Sequence, residues 1–207
     1  DVSPYKGSAL LEVLRELGVP TGLCGQLEGH PYRDVFSTVY SDDEEGGRFA
    51  ALAMKERGRK DIVAVLGPQD NPAVVDRLRG YRAVLGEDLP DANVIYTGWN
   101  SGDGYQAMHQ ILAREIAFDG VLCGSDRIAA GVLTALNEAG LSVPADVSVV
   151  GFDDHEIAAR CVPALTTVRQ PLREEGHMAA NIALDMIKGA EPTTSVMHMQ
   201  LIQRASL

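Results

Sequence analysis

The sequence predicts a mostly parallel α/β protein. Short aliphatic runs alternate with amphipathic stretches along the whole chain. The clearest run, Ile62-Val63-Ala64-Val65-Leu66, is unbroken and rich in branched residues, the pattern of a strand covered on both faces. The composition agrees: 45% of residues are hydrophobic but only 5% are aromatic, so small and branched aliphatics must build the core. Regular βα alternation of this kind gives parallel sheet with right-handed crossovers.

The elements follow in order. Leu10, Leu11, Leu14 and Leu17 sit at helical spacing, with Gly18 as a stop. Val19 to Cys24 reads as a buried strand and Phe36 to Tyr40 as a second β-rich run. Asp42 or Asp43 can cap a helix to about Arg57, with Gly58 past its end. After the strand at Ile62–Leu66 come a helix over about Pro72 to Gly86 and a strand over Asn93 to Thr97. A helix over about Gly102 to Ile116 and a strand over Gly120 to Cys123 repeat the rhythm. Asp126 is expected to cap a helix to about Ala139, followed by a strand over Val147 to Gly151. The chain closes with an extended run Leu165 to Arg169, a helix Pro171 to Lys188 and an extended run Val196 to Ile202.

Charge narrows the function. Twenty-nine acidic residues against 18 basic ones give a formal net charge of -11, and no basic run is present. Binding to DNA phosphates needs clustered Lys and Arg, so this chain alone is not expected to hold nucleic acid. Three widely separated cysteines, Cys24, Cys123 and Cys161, form no disulfide framework; Cys24 and Cys123 lie in apolar stretches and read as small core residues. No stretch approaches the ~18 apolar residues of a membrane span. The chain starts at Asp1 with neither a Met nor a signal peptide, which points to sequence missing upstream.

Open parallel sheets bind ligands beyond the carboxyl ends of their strands. Arg77 lies one or two turns into the helix after Leu66, Trp99 follows Thr97, Ser125 and Asp126 follow Cys123, Asp153 and Asp154 follow Gly151, and Gln170 follows Arg169. Polar groups with the chain's one tryptophan at successive strand ends describe a polar small-molecule cleft. Each residue also has a structural reading: Arg77 a solvated helix charge, Trp99 core filler, Asp126 a helix cap, Asp153-Asp154 a turn. As ligand contacts, these residues predict that Arg77→Ala weakens binding and leaves the fold intact. No hydrolase elbow, zinc-protease motif or C-x-x-C is present, and the five histidines are scattered, so neither catalysis, nor a metal, nor a cofactor is expected. Gly102, Gly104 and Ala107 match G-x-G-x-x-A, but Trp99, Asn100 and Ser101 separate them from the strand, and the pattern reads as a helix start.

Three segments resemble the LacI/GalR family of transcriptional regulators: Ser125-Asp126-Arg127-Ile128-Ala129-Ala130-Gly131, the run Gly140 to Asp154 (GLSVPADVSVVGFDD), and Pro163 to Pro171 (PALTTVRQP). Gly176, Ala179, Ala180 and the closing Arg204-Ala205-Ser206 continue the likeness. The resemblance implies a type I periplasmic-binding-protein-like fold, two parallel-sheet lobes with helices on both faces and three interlobe crossings. It places residues 1–40 and 170–191 in an N-terminal lobe whose first βα units are missing, residues 41–169 and 192–207 in a C-terminal lobe, and a DNA-binding headpiece outside the chain. It implies that Arg77, Trp99, Ser125, Asp126, Asp153 and Gln170 contact a sugar or nucleoside-like effector in the interlobe cleft of a cytoplasmic, homodimeric repressor, which meets operator DNA only through the headpiece. A periplasmic solute-binding protein of the same fold is the alternative, and an enzyme a distant third.

Overall fold

The computed structural model describes residues 9–27, 30–114 and 116–207. The chain divides into two compact units, Asp43–Gln170 with Met199–Leu207, and Asp1–Asp42 with Pro171–His198. It passes from one unit to the other after Asp42, Gln170 and His198.

The larger unit carries a six-stranded sheet in the order β4-β3-β5-β6-β7-β9. Its strands are β3 (Ile62–Leu66), β4 (Val94–Tyr96), β5 (Gly120–Cys123), β6 (Ser148–Asp153), β7 (Thr166–Arg169) and β9 (Gln200–Ile202). All pair in parallel except β9, which runs antiparallel to β7. Every residue of β3 is fully buried. Its side chains alternate as a strand requires: Ile62, Ala64 and Leu66 join Ala50, Met54, Leu78 and Tyr81 in one core, while Val63 and Val65 join Met108, Ile111, Val132 and Leu136 in another. The first core is supplied by helices α2 (Asp43–Glu56) and α3 (Pro72–Leu85), the second by α4 (Ser101–Ala113) and α5 (Asp126–Glu138).

Both helix pairs touch backbone to backbone through glycine. A Cβ on Gly47 would collide with the Arg77 carbonyl, and one on Gly80 with the Glu44 carbonyl. On the other face, a Cβ on Gly104 would meet the Ile128 carbonyl and one on Gly131 the Ser101 carbonyl. Gly104 thus serves helix packing, close to the start of α4 where the motif reading places it.

The smaller unit holds the parallel sheet β1-β2-β8, formed by β1 (Gly22–Cys24), β2 (Ser37–Ser41) and β8 (Thr194–Met197). Leu11 of α1 (Ala9–Leu17) packs with Leu27 and Phe36, and α7 (Leu172–Ile187) approaches so closely that a Cβ on Gly22 would lie 2.5 Å from the Ala179 carbonyl oxygen. Glu175 of α7 is buried and accepts a hydrogen bond from Ser41 Oγ at 3.0 Å.

Four details differ from the sequence reading. The strand expected from Val19 contains only Gly22–Cys24, and Cys24 is exposed rather than part of the core. The final extended run is two strands: β8 pairs with β2 in the smaller unit, whereas β9 pairs with β7 in the larger, so residues 192–198 leave the unit to which the sequence assigns them. A short helix, α6 (Glu156–Arg160), occupies the loop after β6. Ser125, not Asp126, caps α5, accepting from Ile128 N at 3.2 Å. The end expected for α4 near Ile116 borders residue 115, which lies outside the described residues.

Candidate ligand-binding edge of the larger sheet

Because β3 to β7 run parallel, their carboxyl ends share one edge, and every residue expected at the site belongs to the larger unit. Trp99 is half-buried and packs against both cores. Its ring lies on the backbone after β3, where a Cβ on Gly67 would come within 2.5 Å of it. A surface cavity of about 390 Å³ is lined by Trp99, Asn100, Ser125, Arg127 and Asp153. That volume lies within the range usual for small-molecule sites. Asn100 and Arg127 also line an adjoining cavity of about 310 Å³ beside His155 and Ile157.

Asp153, the last residue of β6, accepts from Gln170 Nε2 at 2.6 Å, and Arg77 Nη1 lies 3.6 Å from the same Oδ1. Its Oδ2 has no protein partner among the described residues. Burial is the largest influence on Asp153 and raises its pKa, against the opposing pull of Arg77. Asp153 has φ 108° and the following Asp154 φ 54°, values that residues with a side chain seldom adopt.

Arg77 is buried at 4% exposure and is not a solvated helix charge. Its Nε donates to Asp43 Oδ1 at 2.7 Å, its Nη1 donates to the Gly124 carbonyl at 2.5 Å, and its guanidinium carbon lies 3.8 Å from the Phe152 ring centroid. Burial works against its charge, but Asp43 and Asp153 outweigh it and hold the pKa above the ordinary arginine value. Nη2 is the one donor group with no protein partner among the described residues.

Asp126 is wholly buried. One of its oxygens accepts from Thr167 Oγ1 at 2.6 Å and the other from His155 N at 2.7 Å. It therefore ties α5 to β7 and to the loop after β6. Burial drives its pKa up to about 7, against the two hydrogen bonds and aided by the nearby charges of Asp153 and Asp154. Arg77, Asp126 and Gln170 do not line the 390 Å³ cavity; Arg77 and Gln170 support its carboxylate, and Asp126 holds the loop that follows it.

Two lining residues escaped the sequence reading. Asn100 caps α4, its side chain accepting from Asp103 N at 3.0 Å, and the Asp103 carboxylate accepts in return from Asn100 N. This reciprocal cap was visible as Asn followed three residues later by Asp. Arg127 is exposed on the first turn of α5 and has no hydrogen-bond or ion-pair partner among the described residues; a charged residue one position past an Asp gives no sequence signal.

Residues 51–207 match the model of the periplasmic binding protein-like domain. A LacI transcriptional regulator from a Rhodococcus species superposes with a TM-score of 0.82 at 30% identity, over 95% of this chain and 72% of that one. The chain belongs to the LacI family. The likeness of its three motifs to that family is thereby borne out, and the LacI-family domain has the α/β fold of parallel-dominated sheets that the likeness implied. The structure of the transcriptional regulator CelR in complex with cellobiose matches at TM-score 0.89 and 35% identity, over 97% of this chain and 63% of that one. A ribose-bound LacI-family regulator from Enterococcus faecalis matches at TM-score 0.87 and 28% identity, over 98% and 73%. Among curated proteins, the transcriptional repressor PurR of Escherichia fergusonii is 37% identical over 184 residues, 86% of this chain and 54% of that protein. The transcriptional regulator CelR of Thermobifida fusca is 35% identical over 210 residues, 99% and 62%. The LacI-family domain thus spans between half and two thirds of these curated relatives. No helix among its described residues is long and apolar enough to cross a membrane.

Proposed function

We propose that this domain senses a small polar effector, a sugar or nucleoside-like molecule with an apolar ring face, for a transcriptional regulator that binds operator DNA through another part of the protein. The cavity that joins the Trp99 ring to the Asp153 carboxylate carries this reading. Trp99 offers a face for a ring; Ser125 and Asn100 offer neutral polar groups, Asp153 Oδ2 accepts, and Arg127 donates. Arg77 has Nη2 left to donate, Gln170 aligns Asp153, and Asp126 acts indirectly by holding the loop after β6. The structural relatives bound to cellobiose and to ribose support a polyhydroxylated ligand. The curated relatives are regulators, which favours gene control over delivery to a transporter.

The domain binds its effector without converting it, and the effector acts by preferring one conformation of the regulator. Such coupling is reciprocal: an effector that changes DNA affinity has its own affinity changed by DNA to the same degree. With a net charge of -11, the domain itself supplies no counterion-release term for duplex DNA.

Trp99 is the sole tryptophan, so its fluorescence reports on the cavity directly. Titration with monosaccharides, disaccharides and nucleosides is expected to change the emission with at least one of them, and Asp153→Asn to remove the response. A panel that leaves the emission untouched at millimolar concentration overturns the reading.

A further inference from the structure

We propose that Arg204, in the segment after β9, is a positioning residue for Asp153, setting the effector affinity of the site without touching the effector. The proposal rests on the reading that Asp153 meets the effector.

Asp153 and Asp154 are consecutive residues with side chains, and both hold positive φ. Such conformations persist only where the surroundings over-determine them. Asp154 is the anchor. Its side chain is 9% exposed, and each oxygen has its own guanidinium: Oδ1 accepts from Arg204 Nη2 at 2.6 Å and Oδ2 from Arg169 Nε at 2.7 Å. Both pairs hold the carboxylate charged and lower its pKa despite burial.

The two arginines are unequal. Arg169 is half exposed and makes this one side-chain hydrogen bond among the described residues. Arg204 is 21% exposed and fixed at two further points, Nη1 donating to the Leu165 carbonyl and its backbone N to Thr166 Oγ1, both at 2.9 Å. The antiparallel pairing of β9 with β7 brings Arg204 there. The loop is held again one residue later, where His155 N donates to Asp126. Asp153 therefore ends β6 directly before a clamped residue. Without Arg204, Asp154 can relax toward negative φ and Asp153 turn with it, leaving Trp99 and Ser125 in place.

The test compares Arg204→Ala, Arg204→Lys and Arg169→Ala on the full chain. Amide exchange is followed by mass spectrometry over residues 153–157 and over β3. Trp99 fluorescence is titrated with cellobiose and with ribose. Arg204→Ala is expected to speed exchange over 153–157 at least tenfold with β3 unchanged, and to weaken the sugar that the wild type binds at least tenfold. Arg204→Lys should recover part of both, and Arg169→Ala should do less than Arg204→Ala. Unchanged exchange over 153–157 overturns the proposal, as does faster exchange with unchanged affinity. A uniform rise that includes β3 shows a merely structural role and also overturns it; should Arg204→Ala not fold, Arg204→Lys decides by the same criteria. A wild type that binds neither sugar counts against the sugar reading alone, and the exchange pattern then decides whether Arg204 holds the Asp153 turn.

Discussion

The buried Arg77 of α3 lies 3.6 Å from the partly exposed carboxylate of Asp153 at the end of β6, and the Phe152 ring lies 3.8 Å from the same guanidinium. One planar cation thus meets the ring of one residue on β6 and the carboxylate of the next. Asp43, at the start of α2, completes its neutralisation at 2.7 Å. The arginine ties α2, α3, β5 and β6 together at the edge that carries the candidate site.

Arg77→Ala is accordingly expected to destabilise the fold as well as the site. Removing one partner of a buried ion pair leaves a charge uncompensated, at a cost of about 3–5 kcal/mol. Urea unfolding of the variant measures this; a loss of the size typical for a surface substitution, within about 0.5 kcal/mol, would return Arg77 to a purely ligand-binding role.

Asp126 makes stability depend on pH. Its pKa in the folded protein is about 7, whereas an unperturbed aspartate titrates at about 3.9. The folded state therefore holds this proton more tightly than the unfolded chain. The resulting stability is complete below the unfolded value and is lost as pH rises toward 7, by at most about 1.4 kcal/mol per unit. Asp126→Asn cannot titrate, so its stability relative to wild type should improve between about pH 4 and pH 7. A difference between the two proteins that stays constant across that range contradicts the assignment.

Gly67→Ala should act on the site through Trp99. The added methyl group meets the indole ring at 2.5 Å, and the ring must move. The expected results are a shifted emission maximum and effector affinity reduced about tenfold, about 1.4 kcal/mol, with little change in far-ultraviolet dichroism. Wild-type emission in this variant would show that the backbone yields instead.

Gly131→Ala tests the seam between α4 and α5. The new Cβ runs into the Ser101 carbonyl, which is backbone and cannot swing aside. Overpacking of this kind costs about 1–3 kcal/mol, so the urea midpoint should fall. Gly176→Ala is a suitable control, since nothing lies within 4 Å of a Cβ there. Equal midpoints for the two variants would refute the close approach.

The parallel sheet was legible in the sequence because β3 is an unbroken aliphatic run, the pattern of burial on both faces, and β5 and β6 carry the shorter runs Val121-Leu122 and Val149-Val150. Element bounds read well too, as at Pro72, the expected and the observed start of α3. The failures share a cause. Nothing near His198 and Met199 marks the point where one extended run becomes two strands in two sheets, because the change is one of partner and not of local conformation. The five residues of α6 are too few to show a helical period. Trp99, Ser125 and Asp153 could be found by reading past strand ends. The burial of Arg77 could not, since it depends on Asp43, Gly124 and Phe152, three partners that no spacing rule brings together.

The glycine seams have a consequence for how this domain can change over time. At Gly47–Gly80 and Gly104–Gly131 the helices meet main chain to main chain, so no side chain is available there to absorb a shift. A substitution inside the seams meets an unyielding wall. Asn100 and Arg127, by contrast, stand exposed at the starts of α4 and α5, beyond the seams. On the proposed reading of the cavity, a new residue at Arg127 can retune which molecule is recognised without reopening the packing of the helices, whereas one at Asn100 also removes the cap of α4. On that reading, a lineage can exchange one effector for another while inheriting the same scaffold.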